Sequence, residues 1–118
     1  MPQYMLLLRD DRETVRGHAS PEETQKIIQR YLDWGTKPFN LGGFALVENT
    51  GRVIRKNNDG ITVTEGPFSE SREVMGGYYM IQAANFEEAV ELSLDNPHLD
   101  FGTMEIRDVV LNYDELMH

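Results

Sequence analysis

Tyr4-Met5-Leu6-Leu7-Leu8 opens the chain as a short run apolar at every position, the pattern of a strand buried on both faces. The polar segment Arg9 to Ala19 then predicts a loop. Ser20-Pro21-Glu22-Glu23 marks a helix start: Ser20 can cap, Pro21 suits the first helical position and Glu23 stands where a capping box needs a carboxylate. Ile27, Ile28, Tyr31 and Leu32 recur at helical spacing, and Gly35 and Pro38 end the helix, with Lys37 at the negative end of its dipole. Beyond it the period shortens. Phe44-Ala45-Leu46-Val47 reads as a strand, Asn49-Thr50-Gly51 as a turn, and Val53-Ile54-Arg55 and Ile61-Thr62-Val63-Thr64 as hairpin partners around Asn57-Asn58-Asp59-Gly60. Ser69 to Met75 can form one helical turn, and Tyr78 to Ile81 is another strand. Asn85 caps a second helix with Glu88 in the reciprocal position and Phe86, Ala89, Val90 and Leu94 on its inner face. Asn96-Pro97 stops it. From Thr103 to Leu111, Met104 and Ile106 alternate with Glu105 and Arg107 as a final strand, and the polar tail 112–118 follows.

The order is strand, helix, strand, hairpin arm at 53–64, strand, helix, strand. Without the arm this is the β-α-β-β-α-β pattern of an α+β, ferredoxin-like sandwich within a single domain, 1–118. Two helices cover one face of such a sheet. The other face needs a partner, and a second copy is the economical one, so a homodimer is expected.

Composition narrows the function classes. Twenty acidic against 11 basic side chains give a formal charge of -9. That charge disfavours nucleic acid, whose phosphates demand a basic face, and anionic membranes alike. With no cysteine, thiolate chemistry and zinc-thiolate sites are excluded. The apolar run ending at Leu8 is too short for a signal peptide or a span, so a cytoplasmic location is expected. No phosphate loop, nucleotide-binding glycine pattern or Ser-His-Asp order occurs, and no cofactor is expected.

The string Thr64-Glu65-Gly66-Pro67-Phe68, then a charged stretch to Glu73, then Val74-Met75-Gly76-Gly77-Tyr78-Tyr79, resembles the signature of the DGPF branch of the YCII-related family, with Glu65 in place of aspartate. The resemblance extends to Tyr4-Met5-Leu6-Leu7, Ser20-Pro21-Glu22-Glu23, Phe86-Glu87-Glu88-Ala89 and the closing Pro97-His98-Leu99, Gly102 and Glu105-Ile106-Arg107-Asp108. Asp108 stands where that family commonly has proline, and Asn96 where a cysteine often precedes the proline. The resemblance implies a dimeric α/β barrel made by two sheets packed face to face. It also implies a link to sigma-factor systems, and hence an accessory regulatory module as one reading. The His-Asp pair that some of these proteins carry in the first helix is not matched here: that helix has Asp33 but no histidine.

Several side chains could carry chemistry. His98-x-Asp100 can share a proton or bind a metal, or His98 can be a surface histidine on a helix dipole; two ligands do not make a metal site, and none is expected. His18 and His118 lie in a polar loop and at the terminus. Glu105 and Arg107 share one strand face, either as an acid-base and anion-binding pair with His98 or as an edge ion pair in water. Glu65, Phe68, Tyr78 and Tyr79 are candidates for lining a cleft between sheet and loops, with at most one of the two tyrosines in a given pocket. Gly76-Gly77 suit a close approach or a bulge. Trp34 and Phe39 suit a core, a lid or an oligomer contact. The functions open on this reading are binding of a small polar or aromatic molecule, or a cofactor-independent isomerase, lyase or monooxygenase.

Overall fold

A computed structural model describes residues 1–11, 20–47, 50–65 and 73–117. The apolar opening run forms strand β1, Gln3–Asp11, which continues through the three charged residues expected to begin a loop. Ser20 caps helix α1, Pro21–Gly35, its hydroxyl accepting the Glu23 amide at 3.1 Å, and Thr36 closes the far end. Strand β2 is Asn40–Ala45, displaced from the expected 44–47. Its glycines are poor strand formers, yet a Cβ on Gly43 would lie 2.2 Å from the Tyr78 carbonyl oxygen. Close pairing with the next sheet strand therefore overrides propensity.

Strands β3, Arg52–Asn57, and β4, Gly60–Glu65, make the expected arm, with a two-residue loop, Asn58-Asp59. The Asn57 side chain accepts the Asp59 amide at 3.0 Å, and Gly60 takes φ +120°. Strand β5, Glu73–Gln82, already includes Glu73 to Met75, where a helical turn was expected; positions 69–72 of that expectation fall outside the described residues.

Asn85 caps helix α2, Phe86–Ser93, accepting the Glu88 amide at 2.8 Å, while the Glu88 carboxylate accepts the Ala84 amide. The buried face of α2 is Ala89 and Ser93 with Leu92 packed beside them; Phe86, Val90 and Leu94 are exposed. The small residues let the helix lie close to the sheet, and the Ser93 hydroxyl is satisfied by the Ala89 carbonyl at 2.7 Å. A 3-10 turn, Pro97–Asp100, leads into β6, Gly102–Asp108, which ends three residues before the expected Leu111. A second 3-10 turn spans Tyr113–Met117.

Strands β2, β5, β1 and β6 form a four-stranded antiparallel sheet in that order, and β3 and β4 form a separate pair. The architecture is α+β and compatible with a ferredoxin-like fold. Alternation along β1 sends Tyr4, Leu6 and Leu8 into the core with Trp34, Ile81, Ala83 and Ala89. Trp34 meets Phe39 and Tyr79 edge to face, with centroids 5.5 and 4.8 Å apart, so these aromatics belong to the core. The opposite face carries Met5, Leu7 and Arg9, aligned with Met80 and Tyr78 on β5 and Arg107, Glu105 and Thr103 on β6. No described helix covers it. No described helix is long and apolar enough to cross a membrane.

Candidate functional site

The stripe Ile27, Ile28, Tyr31 and Leu32 is core only in part: Tyr31 packs against the buried cluster, and the others do not. Ile28 and Leu32 are 51% and 60% exposed, and all four line one wall of a cleft of about 740 Å³. Across it stands the β2–β5 edge, where Gly42 and Gly43 present no side chains and Phe44, Leu46, Tyr78 and Tyr79 do. Leu8, Asp10 and His98 also line the cleft, placing a carboxylate and an imidazole beside its apolar walls.

Two features of the backbone place these polar groups. Asp10 continues the inward row of Tyr4, Leu6 and Leu8, so period two carries a carboxylate past the end of the core. The register between β1 and β5 shifts there: Leu8 pairs with Gly77 and Arg9 with Met75, leaving Gly76 as the bulged residue. The Asp10 carboxylate lies over Gly76, where a Cβ would come within 2.0 Å of its Oδ2.

His98 is 2% exposed rather than a surface residue. Asn96 caps its turn by accepting the His98 amide at 2.8 Å. On the ring, Nε2 is 2.8 Å from the Arg9 carbonyl oxygen and Nδ1 2.9 Å from the Tyr31 hydroxyl. A carbonyl only accepts, so Nε2 carries the hydrogen. In the neutral ring Nδ1 then accepts from Tyr31. Asp10 Oδ1 lies 3.5 Å from Nε2. Gly102 makes room for this arrangement: a Cβ there would stand 2.0 Å from the Arg9 oxygen and 3.0 Å from His98 Nε2.

Burial, with the nearby Asp10 charge, pushes the Tyr31 phenol far above its ordinary range, and burial pushes Tyr79 up to about 12. Tyr79 donates its hydroxyl hydrogen to the Tyr31 carbonyl at 2.9 Å, which fixes the helix wall against β5. Beside Tyr31, Arg30 binds Asp100 at 2.6 Å and lies over the Phe101 ring, which stacks on Tyr31.

The structure separates the three residues expected to act together. Glu105 and Arg107 lie on the sheet face away from α1, because they pair with Leu7 and Met5, and His98 lies on the cleft side. Arg9 binds Glu105 at 2.9 Å and Arg107 approaches it at 3.4 Å; the Arg9 guanidinium holds the Glu105 carboxyl below its usual range. Tyr78 and Tyr79 both border the cleft although their side chains start on opposite faces, since the glycines of β2 leave that edge open. Glu65 sits on the arm, exposed and 3.7 Å from Arg52, and Phe68 lies outside the described residues. Asp10 and Tyr31 were not among the expected site residues. Tyr31 was visible only as one of the four residues at helical spacing, and Asp10 was signalled only by the two-residue period running past Leu8. Among the described residues no group of three or more His, Asp or Glu could hold a metal ion.

The YCII-related domain matches residues 2–112 of the chain. A relative named as an uncharacterized protein of Rhizobium meliloti (strain 1021) is 29% identical over 119 residues, an alignment taking in 92% of each chain.

Proposed function

The chain belongs to the YCII-related family, and from that premise we propose that it binds a small, largely aromatic molecule in the cleft between α1 and the β2–β5 edge. The observation that carries this reading is the helical stripe Ile27, Ile28, Tyr31 and Leu32, which faces Phe44, Leu46 and the two tyrosines across open space and leaves Ile28 and Leu32 exposed. Apolar walls gain roughly 25 cal/mol for each Å² withdrawn from water, and the cleft volume falls within the range of small-molecule sites. The ligand's polar group would lie toward Asp10, Tyr31 and His98. Methyl NMR with phenol, indole and benzoate as probes tests the assignment. Saturable shifts at Ile27, Ile28 and Leu32 are expected. Shifts confined to Met5, Leu7 and Met80 on the far sheet face would overturn it.

A second reading concerns assembly. We propose that the far sheet face packs against a second copy, as in the dimeric barrels that the DGPF-like string from Thr64 to Tyr79 suggests. Met5, Leu7, Tyr78 and Met80 form an apolar field there, edged by the Arg9–Glu105–Arg107 cluster, and Phe44 beside them is 73% exposed. Phe44 and Tyr78 border both this face and the cleft, so a partner on the face would stand at the cleft mouth.

A further inference from the structure

We propose that Tyr31, His98 and Asp10 form a relay on the cleft floor that accepts the proton of an acidic hydroxyl group, that of a phenol or enol, on the bound molecule. The inference rests on the binding reading above and gives its site a chemistry.

The bonds run in one direction. Tyr31 donates to His98 Nδ1, and His98 donates through Nε2 to the Arg9 carbonyl. With its hydrogen committed to the imidazole, the oxygen of Tyr31, a residue that lines the cleft, keeps a lone pair with which to accept. When a ligand hydroxyl donates to it, the ligand's proton passes to Tyr31 Oη as the tyrosine's own proton passes to Nδ1. The ligand becomes an oxyanion and His98 an imidazolium, and the net charge of the site is unchanged. The new Nδ1–H then donates to Tyr31 Oη, which donates to the oxyanion, and Nε2–H keeps its bond to Arg9. Asp10, whose carboxylate is 3.5 Å from Nε2 and 20% exposed, offsets the imidazolium charge.

A histidine serving only to pin the 3-10 turn to β1 would need the Arg9 bond and no carboxylate. Here the bulge at Gly76 and the bare Cα of Gly102 provide the space that the Asp10 carboxylate and the His98–Arg9 bond require. Among the described residues, the charged and titratable groups around the relay are Asp10 from β1, Arg30 from α1, Tyr79 from β5 and Asp100 from the turn, with Arg30 and Asp100 paired to each other. Tyr31 is itself too weak an acid to hold the negative charge, so it passes the proton on and the charge rests on the ligand. That requirement selects hydroxyl groups more acidic than an ordinary phenol.

The test uses 4-nitrophenol, whose ionised form absorbs visible light. Equilibrium dialysis measures its binding, and a spectrophotometric pH titration measures the ionisation of the bound probe. The wild-type protein is expected to ionise the bound probe at a proton concentration about tenfold higher than in free solution. Tyr31→Phe, which loses the acceptor, should bind the neutral probe up to about tenfold more weakly and titrate the bound probe as free solution does. His98→Gln should behave as Tyr31→Phe, and Asp10→Asn, which preserves size, should give an intermediate shift if His98→Gln does not fold. A wild-type protein that binds the probe with its free-solution titration, or a Tyr31→Phe protein that retains the shift, overturns the relay alone. Absence of binding overturns the cleft assignment and the relay with it.

Discussion

Gly102 and Gly35 show how one residue type has opposite roles in this molecule. An alanine at Gly102 would drive its Cβ into the Arg9 carbonyl and the His98 bond, leaving a buried polar group unpaired. Gly102→Ala is expected to destabilise by about 1–3 kcal/mol, read as a lowered urea midpoint at unchanged slope. At Gly35, in the last turn of α1, a Cβ would meet the Tyr79 ring at an ordinary 3.7 Å. Gly35→Ala should stabilise by about 0.5–1 kcal/mol in the same experiment. Titration of Tyr79 is a third single-residue effect. Its phenol is raised from the ordinary value of about 10 to about 12, so folding holds that proton more tightly than the unfolded chain does. The resulting stability is fully present below about pH 10 and is lost as the pH climbs toward 12. Tyr79→Phe should flatten the alkaline fall in urea midpoint over that window. Sequence spacing announced both tyrosines but not their environments, because burial depends on which helix face meets which strand.

Among the elements, α1 is anchored at its C-terminal end and, along its stripe, through Tyr31. Trp34 enters the core and donates its indole N–H to Asp95 at 2.9 Å, and Lys37 binds the other oxygen of the same carboxylate. The Lys37 and Trp34 hydrogen bonds hold the Asp95 carboxyl below its ordinary range. A depressed carboxyl stabilises the fold above its unfolded value, about 3.9, and that contribution disappears as the pH falls below it. Asp95→Asn should therefore reduce the loss of stability on acidification from about pH 4 downward, monitored by urea titrations at stepped pH. This clamp leaves Ile27, Ile28 and Leu32 free to form a wall, with the half-buried Tyr31 between wall and core. Helical periodicity revealed that they share a face, but that periodicity is identical for a face against the core and a face over a cleft. The same limit applies to α2, where of the expected face Phe86, Ala89, Val90 and Leu94 only Ala89 is buried, joined by Ser93.

At the scale of the whole molecule, the chain has a radius of gyration of 16.8 Å and extents of 50 × 48 × 19 Å, against about 13.5 Å for a compact domain of this length. The thin sheet with one helical layer and the separate arm account for that shape. If the uncovered face meets a second copy, a charge at its centre should prevent assembly. Leu7→Glu is expected to shift sedimentation from dimer to monomer while leaving the helical circular-dichroism signal unchanged. A wild-type protein that sediments as a monomer at micromolar concentration would remove the assembly proposal. What the sequence by itself determined are the features written in neighbouring residues: the caps at Ser20 and Asn85, the Asn57–Gly60 hairpin, and the alternation of Met104 and Ile106 with Glu105 and Arg107. Each depends on a side chain reaching a backbone group a few positions away, or on strand geometry alone. Only the tertiary structure decided that His98 meets Tyr31, 67 positions earlier, and Asp10 rather than Glu105 and Arg107. That choice is made by strand pairing: the β1–β6 register sets Glu105 and Arg107 opposite Leu7 and Met5 on the far face, and the bulge at Gly76 makes room for Asp10 on the cleft face. It is a long-range outcome of strand pairing that no local pattern encodes.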